Sequence, residues 1–460
     1  MDKAIAAQKT VVCDTETNYS RFFIFSLIGF LFFLTPIKWD GVWTIGIGIL
    51  ANYLKSFISA YLPAIATTIV SISALGTILT KYLKRNSTRK PLSPGMLYLF
   101  DVSIPWFILR IIGAVFILMI YFQVGPDWVI SKATGGTILH DLNPVLIPFF
   151  FFAILLMPFL TDYGFMEYIG TLLSKIFQKL FKLPGRAAVD ASASWLGSAA
   201  VGVLITNLQY EKGKYNLREA AIIATSFSLA SAAFCLLITE FIGLPNKFPQ
   251  FYTTVTVVSL IAAVIMARIP PLSRKPTTYL IEHEEKMDES RIEGMSLHQS
   301  ALYRGAKCAA NAKSLAYSLT TSLKILADIY LGLMPVVFAL GTIVLAISEY
   351  TPLFTWLAAP IVPFLELLRI PEAAAAAPAM VVGFADMFLP AVLGKGIENE
   401  LTRFVIACIS VTQVIYMTEV GSLILKSSIK VSLLELIWIF LVRTIITLPI
   451  IAFIARVFVY

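Results

Sequence analysis

Charge is scarce in this chain of 460 residues: Asp, Glu, Lys and Arg together make up 14% of it, against roughly 25% in an ordinary soluble domain. Histidine occurs only 3 times and cysteine 4 times. Cys13, Cys235, Cys308 and Cys408 are scattered, with no CxxC pair and no ligand spacing, so neither a disulfide framework nor a zinc site is expected. His140, His283 and His298 fall in polar connections and read as ordinary solvated side chains. No glycine-rich phosphate loop and no converging catalytic or metal-binding constellation is present, so the reading is a protein that is not an enzyme and holds no cofactor. Alternating apolar and polar positions are missing as well, which removes a β-barrel. The formal net charge of +8 sits mostly in connections between apolar runs. The positive-inside rule accounts for it there, without nucleic acid as a partner.

What the chain does have is length of apolar sequence. Hydrophobic residues are 58% of it and the mean hydropathy is +0.81. Runs near the roughly 20 residues needed to cross a bilayer recur throughout. The fold class is therefore all-α, a polytopic helical membrane protein whose first partner is the lipid bilayer. The polar N-terminus shows no cleavage site, so the first span, Arg21 to Ile37, reads as retained and not as a signal peptide. The block Val42 to Leu83 is divided by Lys55 and Pro63 into an interfacial helix to about Ala60 and a span to Tyr82. Lys81, Lys84, Arg85, Arg89 and Lys90 then mark a cytoplasmic connection and a cytoplasmic N-terminus, most simply in a bacterial inner membrane. The span Met96 to Phe122 holds Asp101 and Arg110, read as structural ties to other helices. Gln123 to Asn143 is expected to be an external loop, and Pro144 to Leu160 the span that returns.

Thr171 to Gly243 departs from this plain pattern. A basic amphipathic segment, TLLSKIFQKLFKLPGRA, leads into AAVDASASWLGSAAVGVLITN, an apolar stretch broken by Asp190, Ser192, Ser194, Gly197, Ser198 and Gly202. Such breaks favour a re-entrant hairpin lining a cavity over a full crossing. After a charged turn, an apolar helix from Leu217 carries Ser226, Ser228, Ser231 and Glu240, and a span runs from Phe248 to Arg268. Ile269 to Lys313 reads as a solvated helix or flexible linker.

The second half follows the order of the first. Leu319 to Ser348 is a span interrupted by Lys324, Asp328 and Pro335. The amphipathic LFTWLAAPIVPFLELLRIPE precedes AAAAAPAMVVGFADMFLPAVLGKG, broken by Pro378, Gly383, Asp386 and Pro390. A span from Phe404 to Leu425 carries Ser410, Gln413, Thr418 and Glu419, and a last one runs from Leu433 to Val457. FKLPGRAA (181 to 188) lies against LRIPEAAA (368 to 375). NLREAAIIATSFS (216 to 228) lies against ELTRFVIACISVT (400 to 412) without a gap, which sets Ser226 opposite Ser410 and Leu229 opposite Gln413. Counted from a cytoplasmic N-terminus, the first broken stretch enters from inside and the second from outside. That is an inverted-topology repeat, as in secondary transporters with a site where the broken segments meet.

These segments resemble the nucleoside-recognition, or Gate, domain, present here twice, and the whole chain looks like the YjiH-type membrane proteins. Gate domains also occur in concentrative nucleoside transporters, the ferrous-iron transporter B membrane region and spore maturation proteins. The resemblance covers about 144 to 268 and 319 to 457, without the G-domain of the iron transporter. It implies an N-terminal transmembrane region (1–143), a first Gate-like repeat (144–268), a polar linker (269–318) and a second, inverted repeat (319–460).

The residues expected to bind solute are Asp190, Ser192, Ser194, Asn207, Ser226, Asp386, Ser410 and Gln413, with Glu240 and Glu419 for a coupling H⁺ or Na⁺. Asp190 and Asp386 read equally well as helix caps, and the serines as packing residues. The function expected is secondary transport of a small polar organic solute, nucleoside-like compounds among them. The alternative is a component of an assembly that works with a second membrane protein or a second copy of itself.

Overall fold

The computed structural model describes residues 17–39, 41–86, 93–196, 199–281, 292 and 294–460. Gly197, Ser198, His283, Arg89, Lys90 and Cys13 lie outside the described residues. The fold is all-α, with one two-stranded ribbon (Ile37–Trp39 and Val42–Thr44) among the described residues. Among the described residues, six helical segments are long and apolar enough to cross a membrane: Gly46–Arg85, Ile104–Phe122, Asp127–Thr161, Pro245–Met266, Leu315–Ile347 and Leu433–Val459. The chain is a polytopic helical membrane protein.

Several expected elements change shape. The first described helix is Tyr19–Phe33 and stops short of the expected span, because the chain turns into the ribbon from Ile37 and Pro36 disfavours helix at the residue before it. The next block is helical from Gly46 to Ile58 and again from Leu62 to Asn86, with one tighter turn at Ser59–Tyr61. The expected Met96–Phe122 span is two helices, Pro94–Phe100 and Ile104–Phe122, parted where Pro105 needs a first-turn position. Asp101 at the break binds Lys84 at 2.7 Å. Arg110 is buried and donates to Thr77 Oγ1 at 3.1 Å and to the Leu99 carbonyl at 2.8 Å. The expected loop 123–143 is instead wound into short helical turns, with Thr134, Gly135 and Gly136 buried.

Close packing decides which helices touch. Ile104–Phe122 crosses Met334–Tyr350 at Gly113, where a Cβ would lie 2.0 Å from the Pro335 carbonyl oxygen. Only a hydrogen fits there, and the contact is backbone, so no rotamer change relieves it. The region expected to be a solvated helix or flexible linker contains the helix Leu297–Asn311, which is docked on Tyr19–Phe33 and Phe165–Ile176. Its stripe of Ser300, Ala301, Gly305, Ala306 and Ala309 is buried, because small residues at helical spacing allow such an approach.

The two halves show the same order of elements. In the first, Ala187–Leu196 and Ala199–Glu211 pack on each other as a hairpin. A split helix follows, Leu217–Ser226 and Ala232–Phe241, and then the span helix Phe248–Met266. In the second, the hairpin is Ala373–Val382 and Leu389–Gly394, the split helix Glu400–Thr412 and Val420–Lys426, and the last helix Leu433–Ile454. Each hairpin is entered through the same backbone device. Lys182 (φ 56) and Arg369 (φ 52), each two residues before a proline, adopt the left-handed conformation that ends the preceding helix.

Candidate functional site

Both split helices lose their winding inside the protein. Residues 227–231 and 413–419 are unwound, and most of them are buried. Backbone groups at such depth must find partners within the protein. Each break opens with the same tight turn: Leu229 N donates to the Phe227 carbonyl and Ile415 N to the Gln413 carbonyl, both at 2.8 Å. Ser231 then restarts the first helix by accepting from Phe234 N at 3.4 Å. The second break pairs instead with the hairpin, Met417 N donating to Phe384 O at 2.9 Å and Thr418 N to Ala385 O at 3.1 Å.

This geometry corrects the expected register. Asn216 and Asn399 are the N-caps of the two split helices, and Phe227 and Gln413 are their first unwound residues. Leu229 is therefore not opposite Gln413, nor Ser226 opposite Ser410. The first half-helix has 10 residues and the second 13, close to one extra turn.

The halves of each split helix pack on different hairpins. Leu217–Ser226 rests on the first hairpin, whereas Ala232–Phe241 rests on Leu389–Gly394 of the second. Phe241 meets Phe388 there with ring centroids 4.9 Å apart. Reciprocally, Glu400–Thr412 rests on the second hairpin and Val420–Lys426 on Ala199–Glu211 of the first. One apolar cluster accordingly joins Ala187, Val203 and Phe227 to Ile415, Tyr416 and Val420.

The acids do different things in the two halves. Asp190 lies within the helix Ala187–Leu196, not in a break; it is 3% exposed and accepts from Tyr215 Oη at 2.8 Å. Arg186 stands over the Tyr215 ring at 6.0 Å. On the neighbouring helix, burial pushes the Glu167 carboxyl above its ordinary range, against the pull of Arg304 and Arg186. Asp386 does lie in a break, between Val382 and Leu389. It takes Phe388 N at 2.8 Å on one oxygen, the capping geometry, and Thr418 Oγ1 at 2.8 Å on the other. It thereby locks the hairpin break to the helix break.

That lock is testable as a coupled pair. A hydrogen bond to a charged group contributes about 1.5–3 kcal/mol. Asp386→Ala and Thr418→Val should each destabilise the detergent-solubilised protein, and the double variant by about 1 kcal/mol or more less than the sum. Fully additive losses in chemical denaturation would show that the two groups do not act together.

The remaining expected residues divide. Gln413 is fully buried, donates through Nε2 to the Met380 carbonyl at 2.8 Å and to Thr444 Oγ1 at 3.0 Å, and leaves Oε1 without a partner among the described residues. Gly383 makes room for it, since a Cβ there would sit 1.9 Å from Oε1. Ser226 is buried with its hydroxyl likewise unpartnered. Ser192, Ser194 and Ser410 bond to carbonyls of their own helices, Ala188, Asp190 and Ala407. Asn207 joins the two halves: it donates to Glu211 at 3.0 Å and accepts from Ser428 N at 2.9 Å. Glu240 and Glu419 are not brought together. Glu240 accepts from Asn52 at 3.3 Å beside the helix Gly46–Ile58, while Glu419 stands at the start of Val420–Lys426.

One residue of this region was not singled out by the sequence reading. Arg443, midway along Leu433–Ile454, has no exposed surface, and its Nε donates to the Thr412 carbonyl at the end of the second split half-helix. An arginine centred in an apolar span was the available signal.

Within this apolar all-α membrane protein, residues 144–245, which hold the first hairpin and the first split helix, match the family described as Gate, nucleoside recognition. The chain belongs to the same family as an uncharacterized protein of Alkalihalophilus pseudofirmus, with which it shares 51% identity over 444 residues, 96% of each chain. No solved structure matches it.

Proposed function

We propose that the chain is a secondary transporter of a small polar organic solute, coupled to H⁺ or Na⁺. In this reading residues 144–268 and 319–460 are two Gate repeats of inverted topology that give alternating access to one site between them. The observation that carries it is the reciprocal packing of the split helices, each joining its own hairpin to the other one. Rocking one hairpin against the other then bends the chain where it is already unwound, at 227–231 and 413–419. A nucleoside-like solute suits the Gate match, and the unpartnered Gln413 Oε1 and Ser226 hydroxyl are the groups that would meet its polar edge.

Reconstitution into liposomes tests this directly. A panel of small polar solutes, nucleosides included, should show accumulation that requires an imposed H⁺ or Na⁺ gradient and stops when it is collapsed. Uptake indifferent to both gradients would sink the coupling, and no uptake of any solute would favour a component that needs a second membrane protein.

A further inference from the structure

Arg443 uses only part of its guanidinium. Its Nε bond to the Thr412 carbonyl caps the C-terminal end of Glu400–Thr412, where the helix dipole favours a cation. Nη1 and Nη2 are buried and have no hydrogen-bond partner among the described residues. A single bond to a neutral carbonyl does not offset taking a guanidinium out of water at the centre of an apolar helix. A cap alone therefore explains Nε and leaves the fork of terminal nitrogens unexplained.

The surroundings give that fork a context. Thr412, which Nε holds, is followed by Gln413, and Gln413 Nε2 bonds to Thr444, the residue after Arg443. Arg443 and Gln413, linked through Thr412 and Thr444, thus each leave polar atoms unused: the Arg443 donors and the Gln413 Oε1 acceptor. Both lie where the second split helix unwinds, and Gly383 leaves the room that the Gln413 amide itself occupies.

We infer that Arg443 is the anion-recognising residue of the solute site, and that the solute carries an oxyanion group, a carboxylate or a phosphate monoester, beside a hydrogen-bond donor. The two terminal nitrogens match the paired oxygens of such a group, and Gln413 Oε1 accepts from the neighbouring N–H or O–H of the same solute. This assignment rests on the solute-binding reading given above, and it narrows the class from polar to anionic.

Equilibrium binding to purified protein in detergent tests it without requiring transport. The probes are matched pairs: carboxylic acids with their amides, and nucleoside 5′-monophosphates with their nucleosides. The acids or the phosphates, but not their neutral partners, should raise the unfolding midpoint of the native protein. Arg443→Gln should lose that rise, and Gln413→Leu should weaken binding about tenfold or more. If Arg443→Gln does not fold, Arg443→Lys decides. It keeps the charge without the fork and should bind the anion at least about tenfold more weakly, read as the rise above its own ligand-free midpoint. Anion binding unaltered in Arg443→Lys, or no anion binding by the native protein, overturns the assignment. The two levels fail separately. Anion binding without gradient-driven uptake sinks the transport reading alone, whereas uptake of a neutral solute, unaffected by Arg443→Lys, sinks the anion assignment alone.

Discussion

Asp190→Ala should reduce gradient-driven uptake in liposomes by about 10-fold to 100-fold. The carboxylate is buried and takes the Tyr215 hydroxyl at 2.8 Å, with Arg186 over the same ring. A hydrogen bond to a charged acceptor is worth about 1.5–3 kcal/mol, and each 1.4 kcal/mol is a factor of ten. Tyr215 stands immediately before Asn216, the cap of the first split helix. The Asp190–Tyr215 bond therefore fixes the angle at which that helix leaves the first hairpin. Tyr215→Phe removes the same bond and should impair uptake comparably. Uptake at the native rate by Asp190→Ala, at equal protein content and an unchanged unfolding midpoint, would exclude Asp190 from the transport cycle.

Gly113→Leu should prevent the bundle from assembling. The Cβ alone would lie 2.0 Å from the Pro335 carbonyl oxygen, well inside van der Waals contact with backbone. Overpacking commonly costs about 1–3 kcal/mol where side chains can yield. Here the helices Ile104–Phe122 and Met334–Tyr350 must separate along their length, so the loss should exceed that range. Gly95 is the matched control, with nothing within 4 Å of its added Cβ. Gly95→Ala should stay within about 0.5 kcal/mol of the native protein, as open surface positions do. A monodisperse Gly113→Leu protein with a native unfolding midpoint would refute this packing.

The membrane-protein reading was legible because hydropathy is a local property of the sequence. Span length and the small-residue stretches could be read position by position, and so could the Leu-Pro and Ile-Pro entries to the hairpins. Register was less legible. An ungapped match could not show that Glu400–Thr412 is longer than Leu217–Ser226, because both continue as helix-compatible apolar sequence. The docked helix Leu297–Asn311 was hidden for a related reason: its polar residues face away from a stripe of alanine, serine and glycine that composition reads as neutral.

The candidate site divides along the same line. Gln413 and Asp386 were visible as polar groups in apolar surroundings, and both lie at the breaks. The different environments of Asp190 and Asp386 were not visible. A carboxylate's role depends on which donors face it, and Tyr215 is 25 residues from Asp190 while Thr418 is 32 from Asp386. Glu240 was visible as an acid in apolar sequence, yet its partner Asn52 lies 188 residues away.

By itself the sequence determined that this chain crosses a membrane as helices and which stretches are apolar enough to do so. These follow from the cost of leaving backbone or charge in hydrocarbon, which every short window of sequence records. Tertiary structure decided which half-helix rests on which hairpin, that Asp386 ties two breaks together, and that Arg443 meets the end of the second half-helix. Those depend on contacts between segments tens to hundreds of residues apart, where a hydrogen in place of a methyl group at Gly113 sets the distance.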